Sequence, residues 1–382
     1  MSKVKKKKKL VWQQCISIAF MLLVGFVCGI MMSEHIDNYS AEKTLYEKLL
    51  SFAVLFVEIY VALFLHIIIH EAGHLIFGLL TGYKFRSFRI FSFMWVKENG
   101  KLKLKRLSIA GTGGQCLMAP PDIKDGKMPL VLYNLGGSFV NIIAGALFLL
   151  GYLLFSDIPL LSPTLLIFAL VGFMTAMMNG IPMRMGTVDN DGYNAFALSK
   201  NKEAVEAFWV QLKVSEQSSK GVRLKDMPAE WFAVPTDEAM KNSMVATRGV
   251  FACNRLMDAE TFEKADALMA HILEIESGMV GLHRNLLICD RIYIELIGQN
   301  RSEVIEGMMT KEQSKFMKAM KSFPSVIRTE YALALLSEKD TAKAEKIQNK
   351  FEKSAKSYPY PHDIDAERYL MRKAESKIFV EK

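Results

Sequence analysis

A chain of 382 residues that is 51% hydrophobic, with a mean hydropathy of +0.16, is too apolar for an ordinary soluble protein. Its net charge of +8 does not signal a nucleic-acid partner, because the cations cluster beside apolar runs, where anionic lipid is the nearest partner. The five cysteines (Cys15, Cys28, Cys116, Cys253, Cys289) are scattered and form no CxxC, which excludes a disulfide framework and a cysteine zinc site.

Six lysines, Lys3 and Lys5 to Lys9, precede the apolar run from Leu10 to Met32. That run is long enough to cross a bilayer, and no small-x-small site closes it, so it reads as a retained anchor and not as a cleaved signal peptide. Three further spans are expected over residues 50–80, 130–155 and 162–183. The segment from Ser33 to Lys48 carries two lysines against four acidic residues, and Ser156 to Pro163 carries no basic residue. The loop from Tyr83 to Pro129 carries ten: Lys84, Arg86, Arg89, Lys97, Lys101, Lys103, Lys105, Arg106, Lys124 and Lys127. By the positive-inside rule that loop, the N-terminus and everything after Arg184 are cytoplasmic in a multi-pass protein of the cell membrane.

The second span leads directly into His70-Glu71-Ala72-Gly73-His74. Residues four apart share a helix face, so His70 and His74 can present imidazoles to one Zn²⁺ ion, and Glu71 can polarise a metal-held water. Ionisable groups at membrane depth are costly and usually functional, which strengthens a motif that is only moderately specific alone. His66 lies one turn before His70, offset by about 40°. It reads as a supporting or gating group, outside the metal set. Glu58 falls far round the helix from His70 and calls for a partner in the outer half of the bundle or a place at the membrane edge.

In the loop, Phe85 to Val96 and Lys101 to Ile109 flank Glu98-Asn99-Gly100, the signature of a β-hairpin with a type I′ turn. An exposed edge there can hold an unwound substrate by β-augmentation; a basic hairpin facing lipid is the plainer alternative. Gly111-Thr112-Gly113-Gly114-Gln115 reads as a flexible return loop and not a phosphate cradle, since no Lys-Ser/Thr pair follows. The fourth span ends at Asn179-Gly180-Ile181-Pro182, followed by Asp189-Asn190-Asp191-Gly192. A third zinc ligand is needed, and a carboxylate at that helix end is the natural source: Asp191 first, Asp189 as the fallback.

From about Asn194 charges interleave at helical spacing. Helices are expected over 202–217, 237–257, 261–276, 280–298, 311–322, 327–336, 341–358 and 363–377. Together they suggest an array of helical hairpins, TPR-like but without a clean 34-residue period. Its concave face suits a protein partner or a substrate tail. His271, His283 and His362 are isolated and read as surface or core residues.

The chain resembles the site-2 protease family of intramembrane zinc metalloproteases, peptidase family M50. His70 to His74 matches the family's first motif. Gly137-Ser138-Phe139-Val140-Asn141 is similar to its Gly-Pro-x-x-Asn pattern, with serine at the proline position. Asn179 to Gly192 resembles the segment ending in Asp-Gly that supplies the third ligand, here with Met183 to Val188 inserted. The resemblance covers about residues 45–195, and nothing suggests the PDZ domain of many members. It implies a zinc endopeptidase cutting a membrane-anchored protein or peptide near the cytoplasmic face. Zinc would be held by His70, His74 and Asp191, Glu71 would shuttle the proton, and Asn141 would hydrogen-bond the oxyanion. For Asn141 an interhelical hydrogen bond is the alternative role.

The expected architecture is mostly α. A polytopic membrane domain of about four spans, residues 1–195, carries the hairpin loop at 83–129, and a soluble all-α domain follows over 196–382. The rival reading is a membrane-anchored helical-repeat scaffold with a structural or idle metal site, and Glu71 argues against it, because a structural site has no use for that carboxylate.

Overall fold

The computed structural model describes Leu22, Phe26, Gly29 and residues 44–98, 100–184, 188–199 and 201–380. The expected first span, from Leu10 to Met32, lies outside the described residues apart from those first three. The chain divides into two compact units. One comprises Met1–Thr81 with Pro129–Phe196; the other comprises Gly82–Met128 with Ala197–Lys382. The loop that sequence reading assigns to the membrane domain therefore clusters with the C-terminal helices.

Three helices in the first unit are long and apolar enough to cross a membrane: α1 (Leu45–Leu80), α2 (Leu130–Leu154) and α3 (Leu161–Gly180). Helix α1 starts five residues earlier than expected. Thr44 and Glu47 form a reciprocal capping box at its N-terminus, supplying partners for backbone donors that the helix itself cannot satisfy. At about 1.5 Å per residue its 36 residues exceed the hydrocarbon thickness, so this polar start stands clear of the spanning stretch. Helix α3 stops at Gly180 because Ile181, extended at ψ 125, precedes Pro182.

The three helices pack on one another pairwise, with Ala62, Ile167 and Val171 at a small buried centre between α1 and α3. Large apolar side chains such as Phe52, Phe56, Tyr60, Leu147, Leu153 and Leu154 are exposed, the inverse of a soluble core and suited to lipid. Close approach of α1 and α2 rests on small residues. A Cβ on Gly73 would stand 2.4 Å from the Gly136 carbonyl oxygen, and one on Gly136 would stand 2.7 Å from that of Gly73. Glu58 accepts a hydrogen bond of 2.8 Å from the Thr164 hydroxyl, so α3 supplies its partner.

The second unit opens with an antiparallel sheet ordered β3-β2-β1-β4: β1 (Lys84–Ile90), β2 (Phe93–Glu98), β3 (Lys101–Arg106) and β4 (Gly114–Ala119). This corrects the expected two-stranded hairpin. The stretch 85–96 turns back on itself at Phe91, whose φ of 50 reverses the chain, and it becomes two strands. Nor is 111–115 merely a loop: Gly114 and Gln115 open β4, and the buried Arg89 donates to the Thr112 hydroxyl (2.6 Å) and the Gly114 carbonyl (3.1 Å). In β2 successive side chains alternate, so Phe93 and Trp95 face outward while Met94 and Val96 enter the main core of this unit.

That core is otherwise helical. Met269, Ile272, Leu287, Tyr293, Ile327 and Phe351 are almost wholly buried within it. The helices are α4 (Asp191–Ser199, whose first residues belong to the first unit), α5 (Lys202–Ser219), α6 (Ser243–Asp258), α7 (Phe262–Glu274) and α8 (Gly281–Ile297). They continue with α9 (Ser302–Met308), α10 (Lys311–Ala319), α11 (Pro324–Ala332), α12 (Thr341–Ala355) and α13 (Pro361–Val380). The expected helix over 237–257 begins only at Ser243, where Asn242 accepts from the Met244 and Val245 N–H groups as its cap. Helices α4 and α9 were not anticipated. Arg328, 1% exposed, is paired with Asp290 and, at 2.9 Å, Glu367, and its guanidinium lies 4.3 Å from the Tyr293 ring centre.

Candidate metal centre

His70 and His74 occupy one face of α1 near its C-terminal end, as their four-residue spacing requires. Their Nε2 atoms stand 3.1 Å apart. Asp191, at the start of α4, completes a triangle: its Oδ2 lies 2.9 Å from His70 Nε2 and 3.3 Å from His74 Nε2. Among the described residues this is the single cluster of three metal-ligating side chains. Asp189 points elsewhere, to Arg184 Nε at 3.1 Å, so Asp191 and not the fallback converges on the histidines.

Local chemistry explains how Asp191 reaches the site. Asn190 is buried and its side chain holds four backbone groups at once. Its oxygen accepts from Met183 N (3.0 Å) and Tyr193 N (2.9 Å), and its amide donates to the carbonyls of Met178 (2.7 Å) and Ile181 (2.6 Å). It thus caps α4 while fastening it to the end of α3. Gly192 follows for want of space: a Cβ there would stand 2.2 Å from the Gly180 carbonyl oxygen. Asp191 sits in the first turn of α4, where the helix dipole favours negative charge.

Both imidazoles are oriented from behind. His74 Nδ1 lies 2.7 Å from the Tyr133 carbonyl oxygen on α2, so it carries the hydrogen and leaves Nε2 with its lone pair facing the triangle. The His70 ring fills the space above Gly137, where a Cβ would come within 2.5 Å of it. Glu71, 7% exposed, is buried beside them and interacts electrostatically with His74. Asn141 is wholly buried, with its amide between His70 Nδ1 (3.3 Å) and His66 Nδ1 (3.0 Å). The sequence points to the three side chains that converge here but not to Asn190 or the Tyr133 carbonyl. An asparagine between two aspartates signals capping, whereas a backbone carbonyl leaves no trace in sequence.

Two nitrogens and one carboxylate oxygen are the donor set of a zinc site with an open position. Ligands about 2 Å from a tetrahedral zinc are roughly 3.3 Å from each other, close to the separations found here. The residues fit the ion.

Comparison with curated proteins and with solved structures gives no significant match. The sequence profile of Peptidase family M50 matches residues 58–337, most of the chain, and extends well beyond the membrane segment in which the resemblance was legible. With the histidine pair, the carboxylate and the three apolar helices all touched by that match, the chain belongs to peptidase family M50, a family of membrane metalloproteases.

Proposed function

We propose that the protein is an intramembrane zinc endopeptidase that cleaves a membrane-anchored protein or peptide near the cytoplasmic face. The observation that carries this reading is the convergence of Asp191 on His70 and His74 beside the buried Glu71. His70, His74 and Asp191 would hold the metal through Nε2, Nε2 and Oδ2. Bound zinc supplies a Lewis acid and makes water nucleophilic near neutral pH. Glu71 takes the proton of the attacking water on its carboxylate and returns it to the departing amine nitrogen. Asn141, whose amide lies between His70 Nδ1 and His66 Nδ1, would support the His70 ring instead of the oxyanion contact that the resemblance implies.

The ten basic residues between Tyr83 and Pro129 support a cytoplasmic sheet and C-terminal helical unit in a multi-pass protein. Strand β3 is an outer strand of the sheet; the Arg106 N–H at its end is taken by the Ser357 carbonyl, and the preceding stretch supports an edge for an extended substrate. Neighbour-on-neighbour packing of α5 to α8 supports the helical-hairpin reading of that unit and a protein partner for it.

The test is Glu71→Gln in the native host, compared with wild type by mapping the termini of membrane proteins. Glutamine keeps both imidazoles but cannot carry the proton. Accumulation of an uncleaved single-span protein only in the variant supports the peptidase and names its substrate. Identical termini with zinc-loaded protein would favour a scaffold with an idle site.

A further inference from the structure

We infer that His66 and Asn141 form a hydrogen-bonded chain that fixes the His70 ring with its hydrogen on Nδ1, which makes His66 a positioning residue for the metal centre. The inference rests on the metal reading above and adds to it a residue four positions before the first ligand.

The chain begins at a group of known polarity. His66 Nε2 lies 2.8 Å from the Phe168 carbonyl oxygen on α3, and a carbonyl only accepts, so Nε2 carries a hydrogen. A neutral His66 then has a lone pair at Nδ1, which lies 3.0 Å from the Asn141 amide. That lone pair needs a donor, and the Asn141 nitrogen is the donor within reach. A half-turn of the amide exchanges Oδ1 and Nδ2 without moving any other atom, and it brings Nδ2 to His66 and Oδ1 to His70 Nδ1. Oδ1 must accept, so His70 Nδ1 carries a hydrogen and Nε2 faces Asp191 and His74 with its lone pair. Both nitrogens of His66 and both ends of the Asn141 amide are then paired, and His70 Nε2 is left available for the metal.

The opposite amide orientation fails twice. With Oδ1 toward His66, both nitrogens of that ring carry hydrogen. The resulting imidazolium is a wholly buried cation whose described neighbours are Asn141, the Phe168 carbonyl, the Phe148 ring and Gly172. No carboxylate stands among them, and an unpaired buried charge is costly. With Nδ2 toward His70, the His70 hydrogen shifts to Nε2, the atom that must bind the metal.

The pocket is shaped for this ring. A Cβ on Gly172 would stand 2.5 Å from His66 Cε1 and 2.9 Å from its Nε2. The Phe148 ring packs edge-on at 5.8 Å between centres. His66 and Asn141 are both 0% exposed, and in this arrangement their effect passes through the His70 ring. Partners of this kind typically govern metal affinity by roughly 10–100-fold.

The experiment measures zinc affinity of the full chain in detergent by chelator competition, together with the visible spectrum of the cobalt-loaded protein. The proteins are wild type, Asn141→Leu, Asn141→Asp, His66→Leu, the double variant His66→Leu/Asn141→Leu, and His70→Ala. Asn141→Leu is expected to lose about 10–100-fold in affinity. Asn141→Asp keeps an acceptor for His70 Nδ1–H and is expected to bind zinc at least as tightly as wild type. His66→Leu releases the amide and loses several-fold, with an altered cobalt spectrum. On the Asn141→Leu background it adds nothing, because the chain is already cut. A merely structural interhelical bond would not be rescued by aspartate and would give additive losses. Wild-type affinity and spectrum in a folded His66→Leu or Asn141→Leu protein overturns the inference. If Asn141→Leu does not fold, Asn141→Asp and His66→Leu decide it: a loss in the first with none in the second also overturns it. Absence of tight zinc binding in wild type, unchanged in His70→Ala, sinks instead the metal reading on which the inference rests.

Discussion

Gly137→Ala isolates the geometry of the centre. The new methyl group would lie 2.5, 2.6 and 2.7 Å from His70 Cε1, Nδ1 and Nε2. Ordinary contact begins near 3.4 Å, so the ring must retreat by roughly 0.9 Å, the difference of 3.4 and 2.5. The triangle of ligand atoms has edges of 2.9, 3.1 and 3.3 Å, and such a shift takes Nε2 out of it. A misplacement of about 1 Å in a catalytic constellation costs on the order of 100-fold, or ~2.7 kcal/mol of barrier. Helix propensity favours alanine over glycine by up to about 1 kcal/mol, but overpacking opposes it by about 1–3 kcal/mol, so the loss is read in protein shown to be folded. Gly151→Ala is the control on the same helix, since its methyl would meet only the flexible Leu165 side chain, at 3.3 and 3.7 Å, and touches no residue of the site. The assay is zinc affinity by chelator competition, followed by cleavage of the substrate identified with the Glu71→Gln strain. Wild-type zinc affinity and turnover in folded Gly137→Ala protein would refute the argument that this cradle holds the ring.

Other outcomes follow from the same structure. Asp191→Asn is expected to emerge from purification without stoichiometric zinc, whereas Asp189→Asn, which removes only the charge paired with Arg184, retains it; metal analysis of both proteins checks this. Arg328→Met leaves Asp290 and Glu367 without their cation inside the helical unit. It is expected to destabilise that unit by about 3–5 kcal/mol, read from denaturant unfolding. Burial pushes the Cys253 and Cys289 thiols up to about 12, so mass spectrometry should find both unalkylated near neutral pH until the protein unfolds.

The centre was legible because its decisive parts are local. His70, Glu71 and His74 lie within one turn and a half of a helix whose apolar character is plain, and Asp191-Gly192 follows the last span. The sequence already ranks Asp191 above Asp189, but what separates them physically is tertiary. The Arg184 pair and the Asn190 clamp, which separate the two, are contacts between loop and helix end that no periodicity encodes. Three of the four expected spans correspond to apolar helices among the described residues, within about five residues at each end, since hydrophobic length is a one-dimensional property. The sheet was not legible in the same way. Reversal at Phe91 depends on one positive φ at a residue with no turn preference, and β4 follows a glycine-rich stretch that reads as loop until Arg89 is seen to fasten it. Helix α9, only seven residues long, is too short to show an amphipathic pattern.

Asp191 lies 121 residues beyond His70, and the whole sheet is encoded between them. Synthesis runs from the N-terminus, so the histidine pair enters the bilayer well before its third ligand leaves the ribosome. Two imidazoles on one turn are short of the three protein ligands a catalytic zinc requires. On the proposed reading the nascent chain would pass through membrane insertion as an inert precursor. Its centre would close only when the last apolar helix has been placed and Asn190 has latched the following helix to it. If its substrates share its membrane, as proposed, that order would keep the protein from acting on its neighbours, or on itself, before the centre is assembled.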